Sequence, residues 1–250
     1  MNANVPSGAA MLLDFIGKAE TGVTGSEAYG VVVFNQQGKL PKPLTDYTID
    51  ELLAAQKVWA KNGWSVKGKK VRGSAAGKYQ IIRPTLLGLV SDLGIPGSAK
   101  FSADLQDRLG YRLLTIRGWQ AFTSGQVTPA AFSLQLAKEW ASMPVLSTVQ
   151  GRSRIVHRGD SYYAGDGVNS SQKRAEELEA VLIAALATKS PVQPVPATPP
   201  PNPAPQPQTP AGEAPNVRGI VGIVIAILVG AAGLLTGLWY GLLALLDKVF

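Results

Sequence analysis

The side chain with the clearest chemical potential is Glu20, in the stretch FIGKAETGVTG from Phe15 to Gly25. Leu12, Ile16 and Glu20 are spaced by four, and Phe15 and Ala19 lie beside them. In a helix this spacing puts the three on one face, so the carboxyl continues an apolar stripe. The small and flexible residues TGVTG then end the helix, leaving Glu20 at its C-terminus, where the macrodipole disfavours negative charge. Partial burial and the dipole both push a carboxyl pKa upward. A carboxylic acid still protonated near neutral pH is what the general acid of a glycosidase needs. The competing reading is a surface glutamate neutralised by the neighbouring Lys18. The TGVTG segment is expected to form a cleft rim.

A second stretch, SAAGKYQII from Ser74 to Ile82, combines small residues with Tyr79 and Gln80. Small residues let a ligand approach the backbone, and an aromatic face with an amide suits sugars bearing hydroxyl and acetamido groups. The competing reading is an ordinary loop that enters a buried element at Ile81 and Ile82. Hydrolytic glycosidases commonly place a second carboxyl across the scissile bond. The candidates are Glu27, seven residues after Glu20, and Asp46, which could equally cap a turn.

Other patterns carry less. GWSVKGKK, Gly63–Lys70, approaches a phosphate-binding loop but ends in Lys70 where Ser or Thr is required, and no hydrophobic strand precedes it. It reads as a solvated basic loop, with contact to an anionic wall polymer through Lys67, Lys69, Lys70 and Arg72 as the alternative. His157 is the single histidine and cysteine is absent, which leaves no basis for a His-based triad, a thiol nucleophile or a disulfide. No metal or cofactor is expected. The RGD tripeptide at Arg158–Asp160 has a high chance rate, and Asn169-Ser170-Ser171 reads as a helix cap.

The elements that must hold these residues follow from periodicity and punctuation. A first helix is expected over Ser7–Ala19. Tyr29–Phe34, YGVVVF, is β-branched and aromatic and reads as a strand, with QQGKLPKPL after it as a turn. Thr48 and Glu51 form a capping box that opens a helix carrying Leu52, Leu53, Gln56 and Trp59 and ending at Asn62-Gly63. Further helices are expected from Pro84, near Ser102, at Thr128-Pro129 and near Asn169, with Gly94 and Gly118 as stops. The class is α+β, mostly helical with a small sheet.

Three regions separate by composition in the 250-residue chain. Residues 1–189 read as a globular domain. Residues 190–217 form a proline-rich linker without apolar periodicity. Residues 218–250 contain an uncharged apolar run, Gly219–Leu246, long enough to span a bilayer. Trp239 and Tyr240 suit an interface, and Gly233, Gly237 and Gly241 share one helix face, which would favour self-association. Arg218 and Lys248 flank the two ends and leave orientation open. The N-terminus lacks the basic segment of a secretory signal. A formal net charge of +7 suits an anionic partner, whether nucleic acid, membrane or cell wall.

Taken in order, these stretches resemble the bacteriophage lambda-type endolysins, lysozyme-like lytic transglycosylases of glycoside hydrolase family 104. The segments that carry the resemblance are AETG (Ala19–Gly22), YGVVV (Tyr29–Val33), LTDY (Leu44–Tyr47), SAAGKYQII (Ser74–Ile82) and WASMP (Trp140–Pro144). FSADLQDRLGYRLLTIRG (Phe101–Gly118) and SYYAGDGVN (Ser161–Asn169) are similar to the corresponding phage segments. The likeness covers roughly Leu12 to Leu186 and leaves out the linker and the apolar run. It implies a lysozyme-like domain in which Glu20 is the catalytic acid and Ser74, Tyr79 and Gln80 belong to the cleft. Trp140, Ser142 and Tyr162 would be cleft or structural residues, with Trp140 expected in the core.

The implied substrate is the MurNAc–GlcNAc β-1,4 bond of peptidoglycan, cut by a single acid without a water-activating partner, leading to host cell lysis. The implied partner is the glycan strand, not nucleic acid. The alternatives are a hydrolytic muramidase acting on the same bond and a non-catalytic, membrane-tethered wall-binding protein. The apolar run would anchor the protein in the bacterial inner membrane while its domain acts on the periplasmic wall. A holin-like part for that run, and the side on which the domain starts, stay open.

Overall fold

A computed structural model describes residues 4–167 and 169–188. The linker and the apolar run, with Gly233, Gly237 and Gly241, lie outside the described residues. Among the described residues no helix is long and apolar enough to cross a membrane.

The described chain is α+β. Seven helices carry it: α1 (Ser7–Thr21), α2 (Ile49–Asn62), α3 (Arg83–Asp92), α4 (Ala103–Ile116), α5 (Trp119–Thr123), α6 (Pro129–Glu139) and α7 (Ala175–Ala187). Two antiparallel hairpins complete it, β1 (Trp64–Val66) with β2 (Lys69–Val71), and β3 (Val149–Gln150) with β4 (Ile155–Val156). Helix α1 is central. Leu12, Leu13 and Ile16 are fully buried, and α4 and α7 pack against the helix. It ends at Gly22, whose left-handed backbone (φ 76°) lets its N–H reach the Lys18 carbonyl at 2.9 Å.

The helix starts follow local capping chemistry. The Thr48 hydroxyl accepts from the Glu51 N–H while the Glu51 carboxylate accepts from the Thr48 N–H, which completes the expected box. Ser102 and Thr128 cap α4 and α6 in the same way, accepting from Leu105 and Ala131. One expected helix start fails. The last helix opens at Ala175, not near Asn169. Asn169 instead folds back on Asp166, and the Glu177 carboxylate accepts from the Arg174 N–H to start α7.

Tyr29–Phe34 is not a strand. A 3₁₀ turn covers Gly25–Gly30, and only Val32 forms a bridge, to Ala76. Pairing stops because Phe34 and Asn35 turn left-handed (φ 58° and 57°). The β-branched residues are used for burial instead, with Val31 and Val32 6% and 0% exposed. The hairpin lies at Trp64–Val71, overlapping the Gly63–Lys70 segment expected to be a solvated basic loop. Its strands pair Trp64 with Val71, Ser65 with Lys70 and Val66 with Lys69. Lys67 and Gly68 make a two-residue turn with positive φ at both positions (46° and 76°), the geometry that suits the twist of a tight hairpin.

One close approach fixes the middle of the molecule. Gly110 of α4 lies against the Tyr79 ring, and a Cβ there would meet ring carbons at 2.8–3.0 Å. That ring is fully buried and tied by its hydroxyl to Asp107, so it cannot swing away. Gly→Ala inside a helix ordinarily stabilises by about 1 kcal/mol. Gly110→Ala is expected to do the reverse and destabilise by ~1–3 kcal/mol through overpacking. Urea denaturation read by circular dichroism checks the sign.

Candidate functional site

The end of α1, the segment after α6 and the loop before α7 converge on Glu20. Continuing the row of Leu12 and Ile16, Glu20 is only partly exposed at the penultimate position of the helix. Trp140, Ala141 and Ser142 follow α6 directly. Trp140 is 3% exposed and its indole N–H donates to the Tyr79 carbonyl at 3.2 Å. This places it in the core, as expected, and ties the segment to the 74–82 loop. Ser142 then meets the acid, its hydroxyl donating to Glu20 Oε1 at 2.5 Å. The Ser142 carbonyl accepts from the Gln172 N–H at 2.9 Å, and the Ser161 hydroxyl donates to the Ala141 carbonyl at 2.7 Å. The loop before α7 therefore holds Ser142 in place.

Glu20 and Ser142 line a small open pocket of about 190 Å³ with Ala19, Ala141, Asn169, Ser170 and Gln172. Burial pushes the Glu20 carboxyl up to about 7. The Ser142 hydroxyl and backbone N–H, which favour the carboxylate, offset part of that rise, and the nearby charge of Glu139 adds to it. Glu139 is itself held by Arg117, whose Nε and Nη2 both donate to its Oε2. Among the described residues Lys18 makes no ion pair with Glu20. It faces a separate pocket of about 580 Å³ with Asp14, Val23, Thr24 and Gly25. The TGVTG segment thus does line a depression, though not the one that holds the acid.

The remaining candidates sit as follows. Ser74 is buried, and its hydroxyl accepts from the Arg83 N–H at the start of α3 while its carbonyl takes the Gln56 amide. That is a helix-start role inside the core. Tyr79 is 1% exposed, so it offers no open aromatic face; its hydroxyl donates to Asp107 at 2.7 Å. Gln80 is partly buried and left-handed (φ 46°), with its amide nitrogen donating to the Gly77 carbonyl at 2.9 Å. Tyr162 is partly buried edge-on to Tyr163, ring centroids 5.1 Å apart. Glu27 and Asp46 are both exposed on 3₁₀ turns, and neither lines the Glu20 pocket.

Sequence reasoning overlooked Glu139 and the Asn169–Gln172 lining. Glu139 directly precedes the quoted WASMP segment, and a carboxylate at a helix end beside a marked segment was the available signal. The Asn169-Ser170-Ser171 pattern suits a cap, but the helix begins six residues later, at Ala175.

The raised acid has a stability consequence. Its folded pKa, about 7, lies above its ordinary value of 4.5, so the folded protein holds the proton more tightly than the unfolded chain. Stability is therefore full below that window and falls as pH rises through it. Glu20→Gln removes the penalty and is expected to be more stable than its parent at pH 8, by up to about 3 kcal/mol, and little different at pH 4. Urea titrations at the two pH values check this, and an equal difference at both would contradict a raised pKa.

Compared with known proteins, the chain matches no family model, no curated protein and no solved structure.

Proposed function

We propose that the protein is a phage or prophage endolysin that cleaves the MurNAc–GlcNAc β-1,4 bond of peptidoglycan by lytic transglycosylation. The observation that carries this is Glu20, a partly buried acid with a pKa near 7 that faces an open polar pocket and is oriented by Ser142. A group in that state is half protonated at neutral pH and can both give and take a proton. The α+β architecture is compatible with a lysozyme-like domain, and the order of AETG, SAAGKYQII and WASMP along the chain supports the same assignment.

In this reading protonated Glu20 donates to the glycosidic oxygen as the C1–O bond breaks and positive charge develops on the sugar ring. The resulting carboxylate then takes the proton of the C6 hydroxyl of the same sugar. That oxygen closes on C1 to give the 1,6-anhydro product, and Glu20 recovers its proton. No second carboxylate is required. The exposed, outlying placement of Glu27 and Asp46 supports this route over two-carboxyl hydrolysis. The uncharged sequence from Gly219 to Leu246 supports membrane attachment as part of the same proposal.

Glu20→Gln should abolish release of fragments from purified cell wall while leaving the circular dichroism spectrum unchanged. Retention of most activity would sink the assignment. Mass spectrometry of the fragments should show 1,6-anhydro ends, whereas reducing ends would indicate a hydrolase. Activity should decline as pH rises through about 7, because the acid form of Glu20 is lost.

A further inference from the structure

Between Leu52 and Ser91 the chain has eight lysines and arginines and no aspartate or glutamate. That segment alone exceeds the +7 formal charge of the whole chain, so charge is segregated, not scattered. Two of the eight are used internally. Lys78 is buried against Asp14 at 2.6 Å, and Arg83 donates to the Leu53 carbonyl. The other six, Lys57, Lys61, Lys67, Lys69, Lys70 and Arg72, are exposed, and none forms an ion pair among the described residues.

The fold gathers them. Lys57 and Lys61 lie on the second half of α2, which runs through Gly63 straight into the β1–β2 hairpin. A Cβ on Gly63 would lie 3.2–3.3 Å from the Arg72 and Lys70 side chains, so both return to the end of α2. Lys67 stands at the hairpin tip in a left-handed backbone (φ 46°). That position favours Gly, Asn or Asp, and a lysine there is conformationally strained. Accepting the strain sets a cation at the point of greatest reach. Beyond β2 the chain passes through Arg72 and Gly73 into the Ser74–Gln80 loop, which is tied to the Glu20 site through the Tyr79–Trp140 hydrogen bond.

We infer that this basic face, the end of α2 with the β1–β2 hairpin, docks the acidic peptide stems of the glycan strand whose backbone enters the Glu20 site. The inference rests on the peptidoglycan reading above. A glycan backbone of neutral acetamido sugars gives six unpaired cations nothing to bind, whereas stem carboxylates recur along the strand at regular intervals. The hairpin runs on into the loop that the Tyr79–Trp140 hydrogen bond ties to the segment carrying Ser142, so the basic face and the acid are held in one framework, which favours the stems over a separate anionic surface.

The test uses the full chain with Glu20→Gln, so that binding is read without turnover. Sedimentation with purified sacculi is compared with sedimentation on chitin, an insoluble and neutral β-1,4 polymer of acetamido sugars. Stem-bearing wall should bind about tenfold more tightly, with the advantage fading as salt rises. Adding Lys67→Gln, Lys69→Gln, Lys70→Gln and Arg72→Gln together should remove that advantage and leave binding to chitin unchanged. The Lys→Arg triple variant at 67, 69 and 70 should retain it.

Equal binding of sacculi by the four-fold Gln variant and its parent would overturn the docking, as would equal parental affinity for sacculi and phosphatidylglycerol vesicles. The two readings fail separately. Charge-dependent docking with no fragments released by the Glu20-containing chain removes the cleavage reading alone. Cleavage with unaltered binding by the Gln variant removes the docking alone.

Discussion

A buried carboxylate, Asp107 of α4, is the constraint around which the middle of the molecule is arranged. It is 1% exposed and must find donors inside the protein. The Tyr29 and Tyr79 hydroxyls supply them at 3.0 and 2.7 Å, with the Lys78 ammonium 3.9 Å away. Its neighbour Gln106 completes the clamp, accepting from the Lys78 N–H and donating to the Tyr29 and Phe101 carbonyls. Three stretches far apart in sequence are thereby fixed to one turn of α4. Breaking one partner of such a network leaves an uncompensated buried group, so the set acts as a unit. The fixed Tyr79 backbone then receives the Trp140 indole, and two residues later Ser142 meets Glu20. The position of the acid's partner thus descends from the Asp107 clamp.

Glu20 gains its character by contrast with that clamp. Two phenols converge on Asp107 with an ammonium nearby, whereas Glu20 receives a hydroxyl and a backbone N–H from one residue and feels the like charge of Glu139. Both carboxyls lose much of their contact with water on folding. Burial without matching donors is what leaves a carboxyl holding its proton near pH 7. The hydroxyl and N–H of Ser142 orient the group without supplying enough stabilisation to ionise it fully.

What could be read from the sequence was what local rules decide. The row Leu12, Ile16, Glu20 lies on the buried side of α1, and the caps at Thr48, Ser102 and Thr128 depend only on residues within one turn. Tyr29–Phe34 misled because β-branched residues fit a buried, non-repetitive segment as well as a strand, and the deciding event is a left-handed turn at Phe34. The hairpin at Trp64–Val71 was hidden because its turn uses Lys-Gly where Asn-Gly would have announced it. Within the site Glu20 was legible and Ser142 was marked only as cleft or structural. Ser74 and Tyr79 were assigned to ligand although both are consumed by the core. Their partners, Arg83, Gln56 and Asp107, are set by tertiary contacts that no short window of sequence contains.

The segregation of charge and the state of Glu20 are connected. A cation within about 4–6 Å would lower a carboxyl pKa by ~1–3 units, enough to erase the rise that burial produces. The chain carries 24 lysines and arginines against 17 acids, yet no cation figures among the influences that set Glu20. Arg117, the basic side chain hydrogen-bonded beside the site, is occupied by Glu139, and Lys78 is occupied by Asp14. Six of the remaining cations are carried by the end of α2 and the hairpin, where they do not figure in the acid's surroundings. Under the proposed function, a protein that approaches an anionic polymer and still presents a protonated acid gains from this separation. Placing the attraction on one element and the proton on another satisfies both electrostatic demands.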